Sequence, residues 1–190
     1  MTVASFEGKT PQIGVETYVH PSADVFGAVT IGDGCWIGPG ARIRGDYGTI
    51  FIGDYTSVED NCVIHARPGE QTTIGNWVTI GHGAVIHNVK MLQDYAIIGM
   101  GAVVSDWADV GPWAVVGEGA VIRQGQIVPA EHIAVGVPAR VLDKQVSDEY
   151  KKEWTHFKET YVDLARRYPT GFVPFEEPPP IPILREGTGA

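Results

Sequence analysis

The chain of 190 residues predicts an all-β solenoid, a parallel β-helix with a C-terminal α-helix packed along it. Two observations carry that prediction. With two interruptions, an aliphatic residue recurs at every sixth position from Val19 to Val128, often with a glycine directly behind it, and a helical stripe follows from Val146 to Tyr168. A fixed period held over so many residues marks a solenoid. Six residues match neither helical periodicity nor simple strand alternation, whereas a short strand plus a turn fits them. The aliphatic then points inward and the glycine permits the bend.

The beat opens with Val19, Val25, Ile31, Ile37 and Ile43, resumes at Ile52, Val58 and Ile64, and resumes again at Ile74, Ile80 and Ile86. From Leu92 it runs unbroken to Val128. Three strand-turn units close one triangular coil, so these positions predict about six coils. Extra residues interrupt the beat around Asp46-Tyr47-Gly48 and around Arg67-Pro68-Gly69-Glu70, and insertions in a solenoid are expected to bulge outward as corner loops. Beyond residues 135–141, Val146, Tyr150, Trp154, Phe157, Tyr161, Leu164 and Tyr168 recur at spacings of three and four, one face of a helix. Ser147 and Asp148 suit its start, and Pro169-Thr170-Gly171 its stop. The aromatic stripe is expected to be core. The predicted organisation is a β-helix over residues 1–142, a helix over 143–169 and a Pro-rich extended tail over 170–190.

Composition narrows the function classes. With 44% hydrophobic residues the chain has material for a core, and its net charge of −9 argues against a nucleic-acid binder, which needs a basic face. The start carries no basic stretch followed by an apolar one, and no apolar run reaches the roughly 18 residues of a membrane span. A cytoplasmic protein is expected. Cys35 and Cys62 form no C-x-x-C pair and read as buried free thiols.

Three of the six histidines, His65, His82 and His87, fall within 23 residues. Taking every third aliphatic gives a column through Val25, Ile43, Ile64, Ile86, Val104 and Ile122, in which His65 and His87 each follow their aliphatic by one residue. They are expected to stack one coil apart, about 4.8 Å, a suitable separation for two imidazoles sharing a metal. His82 follows Ile80 in a different column, and that corner lies roughly 15–20 Å away along the triangle. A three-fold ring apposes one corner of a subunit to a different corner of the next, so the geometry predicts a homotrimer with His82 supplied across each interface. A lone histidine in a turn is usually solvated; three together, two of them in register, point to a metal. Three imidazoles with an open position form a catalytic ligand set for a borderline divalent ion. Arg44, Gly45 and Asp46 lie one coil below His65 and offer an intersubunit ion pair or a partner that orients a ligand histidine. Glu59, one coil below His82, is placed to take a proton from a metal-bound water.

These residues resemble the gamma-class carbonic anhydrases and their relatives, within the hexapeptide-repeat proteins. The carrying motifs are Arg44-Gly45-Asp46, Glu59-Asp60-Asn61-Cys62-Val63-Ile64-His65 and Ile80-Gly81-His82-Gly83-Ala84-Val85-Ile86-His87. The resemblance implies a left-handed β-helix and a trimer with Zn2+ (alternatively Fe2+ or Co2+) held by His65, His82 and His87, one ion per subunit interface. It implies a lyase that hydrates CO2 reversibly to bicarbonate, with Glu59, Arg44 and Asp46 as catalytic residues. The family's Asn-x-Gln-Asp before the first ligand is Ser57-Val58-Glu59-Asp60 here, and its acidic loop is reduced to Arg67-Pro68-Gly69-Glu70. Relatives in the same family act on CoA thioesters, so an acyl-CoA thioesterase, a hydrolase, is the alternative; a metal-stabilised trimer without catalysis is a third. CoA-dependent acyltransferases, the other large group with this fold, leave the three-histidine set without a clear role.

Overall fold

The computed structural model describes residues 2–175. Short strands stack in parallel on three faces of a triangular coil, and each face repeats the six-residue beat. On the first face Val25, Ile43, Ile64, Ile86, Val104 and Ile122 are successive register partners, the column read from the sequence. The second face stacks Val19, Ile37, Val58, Ile80, Ile98 and Val116. The third stacks Ile31, Ile52, Ile74, Leu92, Val110 and Val128. Nearly all these side chains are buried, Ile43, Ile64, Ile74, Ile80, Ile86 and Leu92 completely. Burying an aliphatic side chain contributes about 1.5–3 kcal/mol, so this column of contacts is the main source of the coil's stability.

The solenoid has about seven turns, one more than the beat predicts. The extra coil comes from residues ahead of Val19: Thr2–Ala4 pairs with the segment after Ala23, and Gln12–Ile13 with Thr30 and Ile31. Ile13-Gly14 stands six residues ahead of Val19 and continues the beat, whereas Thr2–Ala4 is set off from it by an irregular stretch.

The glycines behind the aliphatics have a different reason from the expected one. Gly75 and Gly81 do not adopt a positive φ; instead, a Cβ on Gly81 would sit 2.9 Å from the Ile98 carbonyl oxygen, and one on Gly75 2.4 Å from an Asp94 carboxylate oxygen. Close approach of the next coil excludes a side chain there. The left-handed turn positions fall instead on a second set of glycines, such as Gly83 and Gly101, and on bulkier residues, among them Tyr55, Trp77, Tyr95 and Trp113 with φ of 56°, 55°, 62° and 56°. Their rings stack up one corner, with centroids 4.7 Å apart for Tyr55–Trp77 and 4.7 Å for Tyr95–Trp113, and ring stacking of this kind offsets part of the backbone strain.

The two insertions behave differently. The first forms no loop: Arg42–Ile52 is one continuous strand that turns the corner against Asp24–Ile31, and the extra residues are absorbed by a register shift opposite Gly27–Val29. The shift brings backbones into contact at Gly45, where a Cβ would lie 2.7 Å from the Ala28 carbonyl oxygen. The second insertion is a loop, turning at Pro68-Gly69.

After the last coil, Arg140–Gln145 pairs antiparallel with His132–Val135. Helix α1 (Asp148–Gly171) then runs back along the second face. The Ser147 hydroxyl accepts the Tyr150 amide at its N-terminus, a capping contact, and the helix continues two residues past the expected stop at Pro169. Its buried line is Lys158, Val162 and Ala165. The aromatic stripe expected as core instead flanks that line, partly buried, and Phe157 is 46% exposed. The Pro-rich segment Glu176–Pro180 lies outside the described residues.

Candidate functional site

His65 and His87 are direct register partners, and their rings lie 5.5 Å apart between centroids. Each has one ring nitrogen committed to a carboxylate. His65 Nε2 meets Asp46 Oδ1 at 2.9 Å, and His87 Nδ1 meets Asp106 Oδ1 at 2.9 Å. A neutral imidazole donates through the nitrogen facing the carboxylate, so Nδ1 of His65 and Nε2 of His87 keep their lone pairs. Arg44 donates to the other oxygen of Asp46 at 3.0 Å. Burial works to raise the Asp46 pKa, but His65 and Arg44 together hold it below the ordinary value. Arg44, Asp46, His65 and His87 thus form one connected group on the first face.

His82 and Glu59 form a second group, on the second face. His82 Nε2 lies 3.1 Å from Glu59 Oε2, while the Asp60 amide donates to His82 Nδ1 at 3.3 Å. In the neutral ring the proton therefore sits on Nε2, facing the carboxylate. Glu59 is only 5% exposed. Burial raises its pKa, and His82 and the Tyr161 hydroxyl oppose that rise without cancelling it. Among the described residues of a single chain, no three His, Cys, Asp or Glu side chains assemble into a group able to hold a metal.

Several participants escaped the sequence reading. Asp106 accepts both Arg67 Nε at 2.8 Å and Arg67 Nη2 at 2.9 Å, a bidentate pair that locks the carboxylate against His87. The Arg67 guanidinium foremost, with His87, holds its pKa below the usual carboxylate range despite burial. Extending the histidine column by one more coil, to Val104-Ser105-Asp106, would have found it. The second insertion is tied down in the same place: Glu70 Oε2 accepts the Asn88 amide and the Trp107 indole N–H, each at 2.6 Å.

Helix α1 contributes Tyr161 and Lys158. Lys158 is 3% exposed and donates to Thr79 Oγ1 at 3.0 Å, with the Ala96 carbonyl at 3.5 Å. Desolvation lowers its pKa to about 7, with Glu59 opposing the fall. A lysine inside an aromatic stripe carries no pattern signal, because periodicity counts only apolar positions. Between α1 and the second face lies a cavity of about 300 Å³ with Glu59, His82 and Tyr161 among its lining residues. The two cysteines are buried, as expected, and burial pushes their thiols up to about 11 for Cys35 and about 12 for Cys62. No described helix is long and apolar enough to cross a membrane.

No protein-family model matches the chain. The structure resembles a hexapeptide transferase family protein from Anaplasma phagocytophilum, with TM-score 0.83 and 30% identity over 88% of this chain and 98% of that one. It also resembles a Bacillus cereus protein named an acetyltransferase, with TM-score 0.83 and 29% identity over 86% of this chain and 94% of that one. These likenesses match the left-handed form of the β-helix. In sequence, the Carnitine operon protein CaiE of Escherichia coli O157:H7 is 37% identical over 75 residues, covering 40% of this chain and 38% of that protein. The match spans under two fifths of the curated relative's length. Transferase names on both solved neighbours overturn the expected lyase and its hydrolase alternative. The fold hosts more than one chemistry, and the acceptor of the reaction is written nowhere in the residues that carry the resemblance.

Proposed function

Because the chain belongs to the hexapeptide-repeat β-helix family, we propose that it is a group-transfer enzyme that moves an acyl group from a CoA thioester to a nucleophilic acceptor. The observation that carries this reading is the Glu59 carboxylate: nearly buried, bonded to His82, and placed at the edge of an apolar cavity. A carboxylate whose pKa is raised by burial is a stronger base than one in water, and it holds its position without waiting for solvent to reorganise. In the proposed step the acceptor's O–H or N–H attacks the thioester carbonyl while Glu59 takes its proton. The new ester or amide bond forms, the carbon–sulfur bond breaks, and the CoA thiolate leaves with the proton. His82 and Tyr161 hold Glu59 in line. The acetyltransferase name of the Bacillus cereus neighbour supports the acyl donor.

The working unit is proposed to be a homotrimer in which His65 and His87 of one subunit face His82 of the next, whose Nδ1 would exchange its 3.3 Å bond from the Asp60 amide for the metal while Nε2 stays on Glu59. The donor set supports a divalent metal, Zn2+ or alternatively Fe2+ or Co2+, at each interface. Two imidazoles lie in register with free nitrogens, and each is backed by a carboxylate, Asp46 or Asp106, as ligating histidines commonly are. Such an ion would supply Lewis acidity toward the thioester carbonyl. Arg44 fixes Asp46, and through it the His65 ring.

The test is CoA release from acetyl-CoA and octanoyl-CoA with and without a panel of amine and alcohol acceptors, alongside metal content and oligomeric mass. Acceptor-dependent release that falls at least ~100-fold in Glu59→Gln is expected, a loss typical of removing a general base. Release indifferent to acceptor and to Glu59 would overturn the reading. In His82→Ala the metal is expected to be lost while the coil, whose core is aliphatic, stays folded.

A further inference from the structure

The cavity beneath α1 is predominantly apolar. Its floor is the outward side of the second face, at Ile97 and Val115, and its roof is α1, at Trp154 and Phe157. Two apolar side chains at its edge stand unusually free, Met100 at 53% and Phe157 at 46% exposure. The polar side chains are fewer: Glu59, His82 and Tyr161 bring the reacting groups, Thr79 belongs to the second face, Tyr150 adds a hydroxyl on α1, and Glu118 a second carboxylate. No lysine or arginine lines the cavity among the described residues; Lys158 sits beside it, its ammonium turned to Thr79 and Ala96 and 6.0 Å from the Trp154 ring centroid.

We propose that this cavity is the acyl-chain pocket, and that it selects neutral apolar acyl groups over those ending in a carboxylate. The proposal rests on the acyl-transfer reading for the identity of the occupant. Shape and polarity favour an apolar tail laid between α1 and the coil, with the thioester carbonyl reaching Glu59. Charge decides against an acidic acyl group. Two carboxylates border the cavity, and the neighbouring amine, Lys158, is turned to Thr79 and Ala96 on the side of Glu59, so a third negative charge in the cavity would be buried without a partner of its own. Volume sets the length. A cavity of about 150 Å³ holds benzene, so about 300 Å³ admits a chain on the order of eight carbons or a phenyl-substituted acyl group.

The test separates binding from transfer by using ligands with no CoA. Octanamide and octanoate are titrated into the full-length protein at pH 7.5, and heat or tryptophan fluorescence is read. Saturable octanamide binding, with octanoate at least ~10-fold weaker, is expected. Met100→Trp narrows the entrance at an exposed position where folding is not at risk, and Val115→Phe fills the floor. Each is expected to weaken octanamide at least ~10-fold while circular dichroism stays native. The proposal is overturned if octanamide does not saturate, if octanoate binds equally well, or if both variants bind as the parent does. Saturable octanamide binding in a protein that shows no acceptor-dependent CoA release would leave the pocket standing and sink the transfer reading.

Discussion

Lys158→Met is the perturbation whose effect can be worked furthest from the structure. The side chain is 3% exposed, and its ammonium meets Thr79 Oγ1, the Ala96 carbonyl at 3.5 Å and the Trp154 ring, 6.0 Å from its centroid. Desolvation lowers its pKa from 10.5 to about 7, against the pull of Glu59. Folding therefore releases a proton between those two values, and the linkage sign follows: the unfolded chain binds more protons there, so stability rises as pH climbs from about 7 toward 10.5. At about 1.36 kcal/mol per pH unit, this one group penalises the folded state by up to about 5 kcal/mol below pH 7 and relieves about 3 kcal/mol between pH 6 and 9. Methionine has similar volume and no charge. It gives up the bond to Thr79, at a cost of about 1–3 kcal/mol. Lys158→Met is thus expected to be more stable than the parent at pH 6, with the advantage shrinking or reversing by pH 9. Urea unfolding at pH 6, 7.5 and 9 reads this directly, and comparing variant with parent cancels the titration of groups that do not interact with Lys158; Glu59, which does, titrates nearer the acid range. A stability difference that does not change across those three pH values would refute the buried, depressed amine.

Other outcomes follow from the same geometry. Ile86→Ala, at a completely buried position in the first-face column, is expected to cost about 2–5 kcal/mol in chemical denaturation. Cys35 and Cys62 should resist a thiol reagent in native protein at pH 8 and both react once it is unfolded, because burial holds the thiolate out of reach; rapid native labelling would contradict the packed core. Asp106 has a depressed pKa, so its contribution is present above the ordinary Asp value of 3.8 and is lost as pH falls through the folded one. Asp106→Asn should flatten that acid limb in a stability profile and release the His87 ring, seen as a changed imidazole signal by NMR. The transfer rate should rise with pH through a value above 4.5, the ordinary Glu pKa, because Glu59 acts deprotonated and its pKa is raised.

The six-residue spacing alone determined the solenoid, the membership of each column and the stacking of His65 on His87. Those properties follow from a repeat whose period equals one strand and one turn, so that register is arithmetic. The placement of His82 on another face follows the same way. Tertiary structure decided what arithmetic cannot count. The first coil is only partly written in the beat: Ile13 stands six residues ahead of Val19, but Thr2–Ala4 acquires its register only by pairing with the coil above. The first insertion looked like a loop, yet it became strand once a register shift at Gly27–Val29 offered it partners. The glycines were legible as necessary but not for the right reason, since the collision they avoid is with a residue about eighteen positions away. Above all, Lys158 and Tyr161 reach Glu59's neighbourhood only because α1 folds back along the second face. A helix docks by the face it buries, and here that face carries an amine and a phenol that no hydrophobic pattern marks.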